Sequence, residues 1–95
     1  MRSELSHDWT FLTNHSHVLV CLLKQPDLTV REISDWVGIT ERAVLRLLSE
    51  LEAAGIVTRT REGRRNRYAI QLDAPLRHPL EGSHTVGELL LHVAS

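Results

Sequence analysis

Apolar residues recur along this chain at two different spacings, and the change from one to the other divides it into elements. Val44, Leu47, Leu48 and Leu51 stand at the i, i+3, i+4, i+7 spacing of a single buried helical stripe. Gly55 follows Ala54 where a helix commonly stops on a left-handed residue. Beyond it, residues 56–61 read as a strand, residues 62–65 as a turn and residues 66–72 as a returning strand, with Tyr68 and Ile70 alternating inward.

The same signals place two helices upstream. Thr13 is a plausible N-cap for a helix over residues 14–25 that Pro26 closes. Val18, Leu19, Leu22 and Leu23 form its inward face, and Val20 and Cys21 widen that face. A helix apolar over so much of its circumference is buried on more than one side, and in a short chain the second side points to another subunit. Thr29 and Glu32 have the capping-box spacing and open a second helix. It runs to about Val37, burying Val30, Ile33 and either Trp36 or Val37, and Gly38 ends it. Ile39 is then a hydrophobic plug and Thr40 the next N-cap, so two helices are joined by a short glycine-containing turn, the pattern of a helix-turn-helix.

After Leu72 the texture changes. Residues 73–80 contain Pro75 and Pro79 and read as an irregular crossing segment, and residues 81–84 as a turn. Thr85 and Glu88 repeat the capping-box spacing and open a last helix through Ala94, with Val86, Leu89, Leu90 and Val93 apolar. So short a helix must dock, on the first helix of its own chain or of a second subunit. Upstream of everything, residues 1–8 are polar and expected to fray, and Trp9 and Phe11 are expected to form a lid on the core or a subunit contact.

Ninety-five residues make one small domain, of α+β class. Its parts are an N-terminal extension (1–12), a helical and hairpin unit (13–72), and an extended segment with a C-terminal helix (73–95) that serves dimerisation or docking. No apolar run is long enough to span a membrane, and the longest, residues 18–23, is too short for a signal-peptide core; the expectation is a cytoplasmic protein. The single cysteine, Cys21, excludes an internal disulfide.

Charge sharpens the picture. The net charge is −1, yet residues 40–70 hold seven arginines against four acids, a local balance of +3, leaving −4 for the remainder. Phosphate contacts are local and screened within about 10 Å, so a segregated patch matters more than the total. Arginine alone builds this patch, and its fork suits phosphates and guanine edges better than lysine does.

The stretch E-I-S-D-W-V-G-I-T-E-R-A-V-L-R-L-L-S-E-L-E-A-A-G-I-V, followed by R-T-R-E-G-R-R-N-R-Y, resembles the winged helix-turn-helix of bacterial and archaeal transcriptional regulators, and is most similar to MarR-type and ArsR-type domains. The resemblance covers roughly residues 13–72. It implies a three-helix core with a β-hairpin wing, a helix in the DNA major groove, the wing at the adjacent minor groove, and a homodimer.

Two groups of residues then become DNA-contact candidates. On the third helix, Thr40, Glu41, Arg42, Ala43, Leu45, Arg46 and Ser49 lie off the buried stripe. The N-terminal part of such a helix reaches base edges. Arg42 and Arg46 share a face, and the free amides after Thr40 suit a phosphate. The bland alternative is that these arginines only pair with Glu41 and Glu50 on a solvated surface. In the wing, Arg59, Arg61, Arg64, Arg65 and Arg67 stand with one glutamate within nine residues, more arginine than edge protection requires. Arg64 and Arg65 are expected at the tip, at the minor groove, and the other three at phosphates. Leu45 departs from the polar residue usual at its place: it suits a thymine methyl or a protein surface.

Trp9, Phe11, Leu12, Val20, Val86, Leu89, Leu90 and Val93 are the subunit-contact candidates. Six histidines invite a metal reading, but His15 and His17 face apart, His78 and His84 lie in irregular chain, and no CxxC or HxxxH spacing occurs. Surface or capping roles are expected, with no metal and no cofactor. No phosphate loop, nucleophile elbow or carboxylate pair marks an enzyme. The expected function is sequence-specific binding of double-stranded DNA; the alternative is a winged helix that docks on protein. The sequence identifies no small-molecule effector.

Overall fold

Each stop signal falls where the chain turns. The computed structural model describes residues 9–94. Its elements are α1 (Asn14–Lys24), α2 (Val30–Val37), α3 (Glu41–Ala53), β1 (Val57–Glu62), β2 (Arg65–Ile70) and α4 (Val86–Val93), the expected α+β order. The stretch 1–8, expected to fray, lies outside the described residues.

The helix boundaries have local causes. At α2, the Glu32 N–H donates to Thr29 Oγ1 at 3.1 Å while Glu32 Oε1 accepts from the Thr29 N–H at 2.8 Å, so the capping box is complete. Gly38 ends α2 at φ 86, a left-handed value suited to glycine, and the N–H groups of Gly38 and Ile39 both donate to the Ser34 carbonyl. Thr40 Oγ1 then accepts from the Ala43 N–H at 3.0 Å and starts α3. α1 is different: Thr13 has the extended backbone of an N-cap, but its side chain makes no capping bond and the first turn holds no acid.

The hairpin is tighter than its sequence suggests. β1 and β2 pair antiparallel from Val57↔Ile70 to Glu62↔Arg65, which leaves a two-residue loop, Gly63-Arg64. Gly63 sits at φ 63 and no other residue in the loop has positive φ, the pattern of a II′ turn. One glycine supplies the whole reversal, so Glu62 and Arg65 stay in the ladder and the expected four-residue turn is not needed. β2 also stops at Ile70 rather than Leu72. On its outer edge the Tyr68 N–H donates to the Pro26 carbonyl at 3.3 Å, tying the hairpin to the α1–α2 connection.

The core gathers around α1. Val18, Leu22, Ile33, Val44, Val57 and Leu90 are the largest fully buried side chains, joined by Leu19, Cys21, Leu28, Leu47, Leu48, Leu51, Ile56, Tyr68 and Val86. Of the two candidates on α2, Val37 packs against this core and Trp36 is half exposed. Burial pushes the Cys21 thiol above its ordinary range. α1 packs on α2, α3, β2 and α4. This chain's own α4 thus packs on α1, while Val20 of α1 stays only partly buried.

α4 is held by the irregular segment before it. The Val86 N–H donates to the Ala74 carbonyl at 2.8 Å, the Gly87 N–H to the Leu72 carbonyl at 2.9 Å, and the Leu76 N–H to the His84 carbonyl at 2.9 Å, with Pro75 bridging Thr85. The approach at Gly87 is so close that a Cβ there would lie 2.9 Å from both Leu72 Cβ and the Leu72 carbonyl oxygen. Among the described residues, no helix is long and apolar enough to cross a membrane.

Candidate nucleic-acid interface

Burying Val44, Leu47, Leu48 and Leu51 against α1 and α2 turns the opposite side of α3 outward. That side carries Glu41, Arg42, Leu45, Arg46 and Ser49, all exposed, with Thr40 exposed at the cap and Ala43 half-buried. Arg42 and Arg46 lie one turn apart on one surface, as their spacing requires.

The two arginines are held differently. The Arg42 side chain makes no hydrogen bond or ion pair with any described residue. Arg46 donates through one terminal nitrogen to Glu50 Oε2 at 3.2 Å, and the other oxygen of that carboxylate lies 2.7 Å from His15 Nε2 on α1. A carboxylate accepts only, so Nε2 carries the hydrogen in this bond. The His15 bond, against desolvation and with further help from Arg46, holds the Glu50 carboxyl below the usual carboxylate range.

In the wing, directly opposed residues share a face of the hairpin. Arg59, opposite Tyr68, and Arg61, opposite Asn66, therefore point to the side of buried Val57. Arg65, opposite Glu62, and Arg67, opposite Thr60, belong to the other side, and Arg64 stands alone at the tip. The wing thus carries positive charge on both faces and at its end.

Some of these arginines are tethered. Arg59 pairs with Glu52 of α3 at 3.7 Å, and Arg61 donates to the Gly63 carbonyl across the turn at 3.2 Å. Arg65, expected at the tip, is the first residue of β2 and donates to the Asp27 carbonyl at 3.1 Å. It braces the wing against the α1–α2 connection, and Gly63-Arg64 forms the tip without it. The guanidinium groups of Arg64 and Arg67, like that of Arg42, make no hydrogen bond or ion pair with a described residue. Sequence reasoning placed Arg64 and Arg65 together at the tip and the other three at phosphates; the tethers that separate them depend on residues as distant as Asp27, which no local pattern reveals.

Leu45 is 54% exposed, an apolar side chain in the middle of the outward face of α3. Tyr68 is buried beneath the wing, and its hydroxyl is pushed above its ordinary range chiefly by desolvation.

The subunit-contact candidates divide. Val86 and Leu90 are 4% and 1% exposed and belong to this chain's own core, so a second copy reaches them least. Leu89 is half-buried in a groove of about 570 Å³ whose wall also includes His15, Leu19, Glu50, Leu76 and Arg77. Leu12, Val20 and Val93 line a separate shallow apolar depression with Trp36 and Val37. Trp9 and Phe11 are 68% and 92% exposed and pack edge-to-face on each other, centroids 4.9 Å apart, rather than forming a lid.

Sequence reasoning missed the role of His15, because its partner Glu50 is 35 positions away. Three other histidines make local contacts: His17 with Asn14, His78 accepting from the Leu80 N–H, and His84 with Glu88. Among the described residues, no three His, Cys, Asp or Glu side chains converge where a metal could be held.

Residues 12–58 match a family model described as winged helix-turn-helix DNA-binding. Among curated proteins, the riboflavin kinase of Thermococcus kodakarensis is 47% identical over 43 residues, which is 45% of this chain and 20% of that protein. The chain thus spans about a fifth of the curated relative it matches. Among solved structures, the predicted DNA-binding transcriptional regulator from E. coli has a TM-score of 0.61 at 16% identity, over 96% of this chain and 79% of its own. The PcaV transcriptional regulator of Streptomyces coelicolor, solved with its natural ligand, has a TM-score of 0.56 at 24% identity, over 63% of this chain and 45% of its own. A MarR family transcription regulator has a TM-score of 0.53 at 19% identity, over 86% and 48%.

Proposed function

We propose that this winged helix-turn-helix domain, a DNA-binding transcriptional regulator, reads duplex DNA with α3 in the major groove while its wing grips the adjacent minor groove and phosphates. The observation that carries the reading is the segregation of arginine onto one outward helix face and both faces of one hairpin, in a chain whose net charge is −1. A hairpin charged on both faces suits a groove, which has a phosphate wall on either side. A hairpin lying flat on an acidic protein would need charge on one face only.

Within this reading the roles separate. Arg42 and Arg46 project from the first and second turns of α3, the part that reaches base edges. Thr40, Glu41, Ala43 and Ser49 border them, and the free N–H groups of the first turn suit a phosphate. Arg64 and Arg67, untethered, contribute ionic contacts, and Arg59 and Arg61 follow once DNA competes with Glu52 and the turn carbonyl. Arg65 sets the wing's angle. The reading assigns no catalytic residue, metal or cofactor. The active species is a homodimer in the cytoplasm, joined through Trp9, Phe11, Leu12, Val20 and Val93, the apolar groups this chain leaves uncovered or partly covered.

The test is equilibrium binding of wild type, Arg64→Ala and Arg42→Ala to duplex DNA over a range of salt. Arg64→Ala is expected to weaken binding to all sequences and to reduce the log–log salt slope by about 0.9 per lost phosphate contact. Arg42→Ala is expected to cost about 1–3 kcal/mol on the preferred sequence and much less on random duplex. If neither variant changes binding or its salt dependence, the interface is elsewhere.

A further inference from the structure

We infer that Glu50 and His15 are positioning residues for base readout: they hold the guanidinium of Arg46 in its reading orientation through a chain of contacts from α1 to α3. This rests on the DNA-binding reading above and deepens it.

Three observations converge. Side chains on a helix lean toward its N-terminus, so Glu50 reaches back over the turn that carries Arg46 and takes one of its terminal nitrogens at 3.2 Å. That bond leaves the guanidinium's remaining N–H groups free, and the Arg46 side chain is 62% exposed, so it can meet a base edge without leaving Glu50. Glu50 is itself fixed, because its second oxygen accepts from His15 Nε2 at 2.7 Å across two helices. An arginine with four free torsions loses much of its binding strength to ordering; one already tethered loses less.

The anchor has its own reason to persist. α1 begins with no side-chain cap and no acid in its first turn, where the helix dipole favours negative charge. Through His15, a residue of that first turn, the Glu50 carboxylate brings a negative charge to the same end of α1. The contact therefore serves α1 and α3 together. It sets Arg46 apart from Arg42, whose side chain has no tether among the described residues and is ordered by the DNA itself.

Glu50 is negatively charged, and this separates positioning from simple electrostatics. Removing it lowers repulsion toward every phosphate, so charge alone predicts tighter binding to all duplexes with unchanged preference. Positioning predicts lost preference at one base pair.

The experiment first selects a preferred duplex from a random pool with the wild-type chain, then measures affinity for every single base-pair variant of it. Arg46→Ala is expected to lose about tenfold discrimination at one base pair. Glu50→Ala and His15→Ala are expected to lose roughly two- to tenfold at that same base pair and nowhere else. His15→Gln, whose amide can still donate to Glu50, is expected to retain most of the preference. In the Arg46→Ala background, Glu50→Ala and His15→Ala are expected to have no further effect on discrimination.

Uniformly tighter binding of Glu50→Ala with an unchanged preference profile would overturn the inference while leaving the DNA-binding reading intact. So would a Glu50→Ala effect that survives in the Arg46→Ala background, or an Arg46→Ala variant with full discrimination. Absence of any sequence-dependent binding by the wild type would overturn both.

Discussion

Leu45 is the residue on which the chemistry of α3 turns. An apolar side chain 54% exposed among arginines gains nothing from phosphate and loses little in water. In the major groove the one apolar group it can meet is the C5-methyl of thymine. Uracil differs from thymine by that methyl alone. Replacing the contacted thymine with uracil is therefore expected to cost the wild type on the order of 0.8 kcal/mol, one buried carbon, and to cost Leu45→Ala much less. Equal losses at every thymine in both proteins would remove Leu45 from the base contacts and favour docking on protein. The arginines teach a related point. Their chemistry is uniform, but the side chains of Arg46, Arg59, Arg61 and Arg65 each hold a different partner, while those of Arg42, Arg64 and Arg67 hold none among the described residues. Identical residues in a basic run are thereby sorted into braces and free contacts.

At the scale of elements, α4 depends on a glycine for its docking more than on its length. Eight residues are too few for a stable isolated helix, so its capping box and its seat must hold it. Thr85 Oγ1 accepts from the Glu88 N–H at 3.1 Å, and the Glu88 carboxylate accepts from the Thr85 N–H at 2.7 Å. The seat is the contact of Gly87 with Leu72, which leaves no room for a methyl group. Gly87→Ala is expected to destabilise the domain by roughly 1–3 kcal/mol, as overpacking does, despite alanine's better helix propensity. Thermal unfolding monitored by circular dichroism checks this. A raised Tm would mean that α4 shifts freely and that its docking is not close-packed. The hairpin shows the opposite use of glycine: Gly63 touches nothing with a Cβ position, and serves only to reverse the chain at positive φ.

The described residues leave several large apolar side chains uncovered. Trp9, Phe11, Trp36, Leu91 and Val93 are between 47% and 92% exposed, although the core has taken every other large apolar group of α1 and α2 at least in part. Isolated exposed apolar residues are ordinary, but the stacked Trp9–Phe11 pair and the depression lined by Leu12, Val20, Trp36 and Val93 suit a subunit contact. A homodimer joined there is expected to dissociate on dilution, and Trp9→Ser with Phe11→Ser to shift sedimentation velocity toward the monomer without loss of helical content. A wild type that sediments as a monomer at all concentrations would contradict the homodimer, and DNA binding would then rest on one domain per site.

The sequence by itself determined the elements and their order, because the signals involved are local. Helical and strand periodicities, two capping boxes and the glycines at 38, 55 and 63 each act within a few residues. It likewise determined which residues of α3 turn outward, since burying one stripe fixes the other, and that charge concentrates over residues 40–70. Only the tertiary structure decided how those residues are held. Whether α4 packs on α1 of its own chain, whether Arg65 reaches the tip or braces on Asp27, and whether Arg46 swings free or is tied through Glu50 to His15 depend on distances between residues 35 or more positions apart. Local pattern cannot fix such distances, because they follow from how the helices pack around Val18 and Leu22.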